Sequence, residues 1–125
     1  MLRWFEKHNV LCWVITVLIG VAIFYASSIE SEPAEPGVPN IKAMIYHVLA
    51  FFFLAFFLSI SLVNGKNKKL IILAIVLAIL YGVSDELHQF FVPGRHMSLF
   101  DVFLDGAGVI FAVMIYFIVI EARKK

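Results

Sequence analysis

The sequence predicts an all-α integral membrane protein, a bundle of four transmembrane helices with both termini cytoplasmic. Three observations predict it. First, hydrophobic residues make up 62% of the 125 and charged residues only 15%, with 13 Phe, where soluble proteins have about 45–50% and about 25%. A soluble domain this small buries only about two-thirds of its chain surface, too little to hide so much apolar side chain. Second, four apolar runs, at 10–28, 43–63, 70–92 and 99–120, match the roughly 20 residues needed to cross a hydrocarbon core about 30 Å thick. Third, Lys and Arg fall almost wholly on one side of those runs. The runs fill the chain as a single domain, 1–125, with no room for a soluble one. Disorder, a disulfide scaffold and a soluble nucleotide-fold enzyme are excluded together. A net charge of +1 gives no reason to expect nucleic acid, and Cys12, the lone cysteine, makes an internal disulfide impossible.

Each element follows in order. The first run has a basic start and ends at Tyr25-Ala-Ser-Ser28, features shared with a signal peptide. Its apolar length of about 19 residues exceeds the roughly 7–15 of a signal core, so it is expected to stay as a span. Residues 30–40 are acidic and carry three of the four prolines, which predicts an extended loop. The second run ends at the polar turn 64–69, opened by Asn64-Gly65. Pro93-Gly94 closes the third run and makes the last two helices an antiparallel hairpin. Arg3, Lys7, Lys66, Lys68, Lys69, Arg123, Lys124 and Lys125 then share one side, with only Lys42 and Arg95 opposite. By the positive-inside rule that side is cytoplasmic, and the loop with Glu30, Glu32 and Glu35 faces outward. Trp4, Trp13, Tyr25, Tyr46 and Tyr116 are expected as interface anchors, Phe51, Phe52, Phe53, Phe56 and Phe57 as lipid-facing bulk, and His8 and His96 as solvated.

The informative residues are the polar ones inside the spans. A carboxylate at the bilayer centre costs roughly 2.5–3.5 kcal/mol, and less near an interface. Yet Asp85, Glu86, His88 and Gln89 lie near the end of span three, and Asp101 and Asp105 near the start of span four. At about 1.5 Å per residue, Asp101 and Asp105 lie about 3–10 Å below the outer boundary, Asp85 about 10 Å and His47 about 6 Å. Three helices thus bring polar groups to one shallow layer. Asp85, His88 and Gln89 are spaced to share a face with Tyr81 and Val92, whereas Glu86 lies about 100° round. Asp101, Asp105, Gly108 and Ala112 form a stripe whose lower half is small, so it is expected to face the bundle interior. Arg95 is the obvious fixed counter-charge, with Lys42, His47, His88 and His96 as others; shared protons or a bound cation would balance the rest. Read plainly, such a layer is either polar glue between helices or a pocket.

The run from Tyr81 to Arg95, with Asp85-Glu86-x-x-Gln89 and Pro93-Gly94-Arg95, followed by Asp101 and Asp105-Gly-Ala-Gly108, resembles the VanZ family. These are small multi-spanning proteins of prokaryotic membranes, named for a member linked to teicoplanin resistance. The resemblance covers about a quarter of the chain and marks Asp85, Glu86, Gln89, Pro93, Gly94, Arg95, Asp101, Asp105 and Gly108. It implies a multi-pass protein of the prokaryotic cytoplasmic membrane, involved with the cell envelope or its lipid-linked precursors. Three positions depart from the family pattern. Lys42 and His47 are five apart rather than about three, Phe51 stands where the family has an aromatic that is commonly Tyr, and Ala112 replaces a Gly.

Two functions follow. In the first, a non-catalytic envelope protein binds a lipid headgroup, cell-wall precursor or glycopeptide in an outward pocket of Asp85, Glu86, Gln89, Arg95, Asp101, Asp105, His47 and His88. Arg95 and Lys42 would meet phosphate, Asp85 and Asp101 would orient Arg95, and Glu86 or Asp105 would bond sugar or amine groups. In the second, a membrane-embedded hydrolase or transferase acts on a lipid-linked substrate through a divalent cation. The ligands would come from Asp85, Glu86, His88, Asp101 and Asp105. No His-Glu-x-x-His and no Cys pair supports that route. A transporter ranks third, since spans one and two hold no matching half of an inverted repeat. The bilayer is the expected partner, and assembly into oligomers stays open.

Overall fold

A computed structural model describes residues 2–30 and 40–123. It contains five helices: α1 (Leu2–Lys7), α2 (Asn9–Ser28), α3 (Ile41–Val63), α4 (Leu70–Gln89) and α5 (Leu99–Ala122). Helices α2 to α5 are long and apolar enough to cross a membrane, and no strand occurs among the described residues. Between 22% and 39% of each span is buried against its neighbours, so most of every helix presents apolar side chains outward, the arrangement a bilayer accepts. The acidic loop, with Glu32 and Glu35, lies outside the described residues, as do Lys124 and Lys125.

Helix α1 has no counterpart in the sequence reading. The chain breaks at His8 (φ −106°, ψ 51°), which separates it from the first span. Leu2 and Phe5 turn onto the bundle and pack on a cluster built around Cys12, Val63 and Tyr116. Span three is also shorter than the expected 70–92. Helix α4 stops at Gln89 because Pro93 disfavours helical backbone at the residue before it. The chain leaves through tight turns, with Phe91 N–H on His88 O (3.0 Å) and Val92 N–H on Gln89 O (3.0 Å). Gly94, at φ 76°, lets Arg95 N–H close back on Val92 O at 3.1 Å.

The closest helix pairing is α3 with α5. A Cβ built on Gly108 would stand 2.3 Å from Val48 O and 3.0 Å from Phe52 N. Only a glycine lets these two backbones meet, as small residues do between membrane helices. Ala112, one turn on, is fully buried, so the predicted small stripe does face the interior. Ser and Thr hydroxyls within the spans bond back to their own helices, as Thr16 to Cys12 O (2.8 Å), Ser59 to Ala55 O (2.7 Å) and Ser61 to Phe57 O (2.8 Å). The Tyr81 hydroxyl instead crosses from α4 to Gly20 O of α2 at 2.6 Å.

At one end of the bundle Arg123 pairs with Glu6 at 2.8 Å and Lys68 with Glu121, joining α1, the 64–69 turn and the end of α5. Tyr116 belongs to this joint and is no interface anchor. It is wholly buried and accepts the Gly65 N–H at 3.2 Å, at a turn where Asn64 and Gly65 both have positive φ. Trp4, Trp13, Tyr25 and Tyr46 are exposed, as are His8 and His96. The Phe run departs from its expectation. Phe51 is buried at 1% exposure, Phe52, Phe56 and Phe57 pack on the core, and only Phe53 faces outward.

Candidate functional site

The polar layer forms at the opposite end, where α3 and α5 begin and α4 stops. Its foundation is the start of α5. Ser98 caps that helix by accepting the Asp101 N–H at 3.3 Å, while the Ser98 N–H donates to Glu86 Oε2 at 2.9 Å. In a capping box the second bond comes from the helix's own third residue. Here a carboxylate of α4 supplies it, so Glu86 fastens α4 to the first turn of α5. Gln89 lies one turn above and donates through Nε2 to Asp85 Oδ2 (3.0 Å) and Glu86 Oε1 (3.4 Å).

Asp105 enters from α5 and His47 from α3. His47 donates through Nδ1 to Asp105 Oδ1 at 2.8 Å, and its Nε2 stands 4.0 Å from Asp101 Oδ2. Gly82 on α4 makes room for Asp105 and Phe51: a Cβ there would lie 3.2 Å from both Asp105 Oδ2 and Phe51 Cε1. His47, Asp85, Glu86, Gln89 and Asp105 are all buried, and Asp101 is partly open. Asp85 Oδ1 and Asp105 Oδ2 are buried with no hydrogen-bond partner. A buried unsatisfied acceptor costs about 1–3 kcal/mol, and more when charged.

A cavity of about 380 Å³ opens beside the layer, with His47, Gln89, Lys42, Tyr46, Asn40 and Arg95 in its wall. A second cavity, of about 550 Å³, lies lower between α2, α3 and α4 and is almost wholly apolar, from Thr16 and Phe24 to Leu58 and Tyr81.

Seven of the eight expected binding residues therefore gather around the layer or the cavity, and one does not. His88 points away: its Nε2 is 2.9 Å from Ser28 Oγ and its ring stacks on Phe24 at 4.6 Å. Helical geometry gives the reason. At 100° per residue, Gln89 lies about 40° and Glu86 about 100° to one side of Asp85, while His88 lies about 60° to the other. A helix that turns Glu86 inward must turn His88 out, so the face shared by Asp85 and Gln89 is completed by Gly82 and Glu86, not by Tyr81 and His88. His88 thereby leaves the expected ligand set, and His47 stands where it was placed.

Arg95 differs in a second way. Its Nε donates to Ile29 O (3.1 Å) and its Nη2 to Ala26 O (2.9 Å), so it caps the last carbonyls of α2. Asp85 and Asp101 do not orient it. Sequence reasoning also missed Phe51, Gly82 and Ser98 as parts of the site. For Ser98 a signal was present, since Ser-x-x-Asp at 98–101 before an apolar run is a helix-start pattern.

The sequence model of the VanZ/LLP1 family matches residues 9–120. The chain belongs to the VanZ/LLP1 family. No curated protein and no solved structure gives a significant match. In this VanZ/LLP1 chain the residues behind the resemblance play distinct parts. Asp85, Glu86, Gln89 and Asp105 form the buried layer, Asp101 its open edge, Gly108 the helix contact beneath it, and Arg95 the strap from the hairpin to α2. Phe51 packs against Gly82 beside Asp105.

Proposed function

We propose that this protein is a non-catalytic membrane protein of the cell envelope that binds the phosphate-bearing headgroup of a lipid or lipid-linked envelope precursor. The headgroup sits in the cavity beside the polar layer. The observation that carries this reading is the cavity wall: Lys42 and Arg95, the two cations at that end of the bundle, line one space with Tyr46, His47 and Gln89. Two cations with a phenol, an imidazole and an amide suit an anion that also carries hydroxyl groups. Size narrows the class. At about 380 Å³ the cavity is at the lower end of the roughly 300–1,000 Å³ of small-molecule sites, so it suits a headgroup better than a whole glycopeptide. The clustering of Lys and Arg at the other end supports an orientation with both termini cytoplasmic, which turns the cavity outward. A reporter fused after Lys125 should then work only inside the cell.

The test is retention of lipid by purified protein in native mass spectrometry. Phosphatidylglycerol should be retained over phosphatidylcholine, and Lys42→Gln should lose most of that preference. Equal retention of the two lipids by the wild type, or an unchanged preference in Lys42→Gln, refutes the reading.

A further inference from the structure

Beneath that cavity, His47, Glu86 and Asp105 each offer one ligand atom, a nitrogen and two carboxylate oxygens, all within 4.8 Å of one another. The three residues come from three different helices and are at most 5% exposed. A second observation points to a ligand. Asp105, a member of the trio and 1% exposed, has an Oδ2 with no hydrogen-bond partner, and neighbouring Asp85 leaves Oδ1 in the same state. Arg95, the fixed cation nearest in sequence, directs its hydrogen bonds to the carbonyls of α2 and not to these carboxylates. Buried carboxylates are normally paired or bound to a metal.

We propose that His47, Glu86 and Asp105 bind a divalent transition-metal ion, zinc being the best match among common ions. Two carboxylates balance its charge, and an imidazole among the donors favours zinc over magnesium or calcium, which prefer all-oxygen shells. The proton on His47 Nδ1 now bridges to Asp105 Oδ1 at 2.8 Å. The ion would take that proton's place, leaving the ring N–H at Nε2. The two atoms would part only to the roughly 3–3.5 Å between neighbouring ligands with bonds of about 2.0–2.2 Å. Asp101, 4.0 Å from His47 Nε2, stands ready to hold the ring in place, as outer carboxylates do for ligating histidines. The site does not depend on what enters the cavity above it, and the ion alone tests it.

Protein purified in detergent, stripped with chelator and dialysed against zinc sulfate should carry about one zinc per chain by elemental analysis. Chelator should lower its thermal midpoint, and zinc but not magnesium should restore it. Glu86→Gln and Asp105→Asn, checked as helical and monodisperse, should each lose at least tenfold in zinc content, while Glu6→Gln at the far end keeps it. Should either variant fail to fold, cobalt bound to the wild type gives an independent readout: a visible absorption band is expected, displaced by zinc. Less than one-tenth of a zinc per chain in the wild type overturns the proposal. So does full zinc content in both carboxylate variants, or a wild type without the cobalt band.

Discussion

Replacing Gly108 by Ala tests whether the contact between α3 and α5 holds the polar layer in register. The added Cβ would stand 2.3 Å from the Val48 carbonyl and 3.0 Å from Phe52 N, and backbone atoms cannot swing aside as a side chain does. Reaching ordinary contact requires the helices to part by about 1 Å, an overpacking change that costs about 1–3 kcal/mol. Asp105 is one turn before Gly108 and His47 one residue before Val48, so the same displacement stretches their 2.8 Å bond. Against this, alanine gains about 0.5–1 kcal/mol over glycine inside a helix. A net loss of about 1.3 kcal/mol is expected, close to a tenfold rise in the open population. Cys12, the lone cysteine and fully buried, reports that population through its rate of maleimide labelling in detergent, provided reclosing outpaces labelling. Gly106→Ala is the control, because a Cβ there meets nothing within 4 Å; it should label about two- to fivefold more slowly than wild type. If Gly108→Ala labels within twofold of Gly106→Ala, the close approach does not constrain the bundle.

Two further perturbations separate the ends of the molecule. Ser98→Ala removes the cap of α5 and should cost about 1 kcal/mol of stability, recovered largely by Ser98→Thr; equal thermal midpoints for wild type and Ser98→Ala would show the cap to be idle. Tyr116→Phe strands the Gly65 N–H at the other end and should cost about 1 kcal/mol without changing lipid retention. A loss of retention would mean that the two ends are coupled.

What the sequence made legible is what the bilayer dictates strongly. Four spans follow from apolar length. The inward face of α5 follows from Asp101, Asp105, Gly108 and Ala112, because acids and small residues at helical spacing have only one tolerable side in lipid. Helix α1 was not legible: six residues carry too little periodicity, and the break at His8 has no glycine or proline to mark it. On α4 the difficulty was rotational. Asp85, Glu86, His88 and Gln89 spread over about 160° of the helix, too wide for one narrow face, so spacing left two inward faces. Gly82 settles the choice, since it is the position that admits Asp105 and Phe51. Tyr116 shows the limit of a statistical tendency. An aromatic near a span's end is usually an interface anchor, but here the Gly65 turn covers the hydroxyl.

Several charges at the cavity end follow the helix dipoles; Asp85 and Glu86, at the C-terminal end of α4, oppose one but belong to the buried polar layer, whereas Lys42 opposes one without such a role. Asp101 lies in the first turn of α5, and Glu86 takes the Ser98 N–H at the same helix start, where negative charge is favoured. Arg95 covers the C-terminal carbonyls of α2, and His88 lies in the last turn of α4, where positive charge is favoured. Lys42 breaks the pattern: it sits in the first turn of α3, directly after the Asn40 cap and Ile41, where a cation opposes the dipole. Folding therefore gains nothing from its charge there, while the cavity beside it gains a cation. Local rules broken without a structural return are expected at functional sites. Lys42→Glu should accordingly stabilise the protein, by about 0.3–1 kcal/mol at low salt, and at the same time abolish the preference for phosphatidylglycerol. Thermal midpoints at low and high salt, measured beside lipid retention, decide it. If Lys42→Glu destabilises the fold and leaves retention unchanged, Lys42 serves the bundle and not a headgroup.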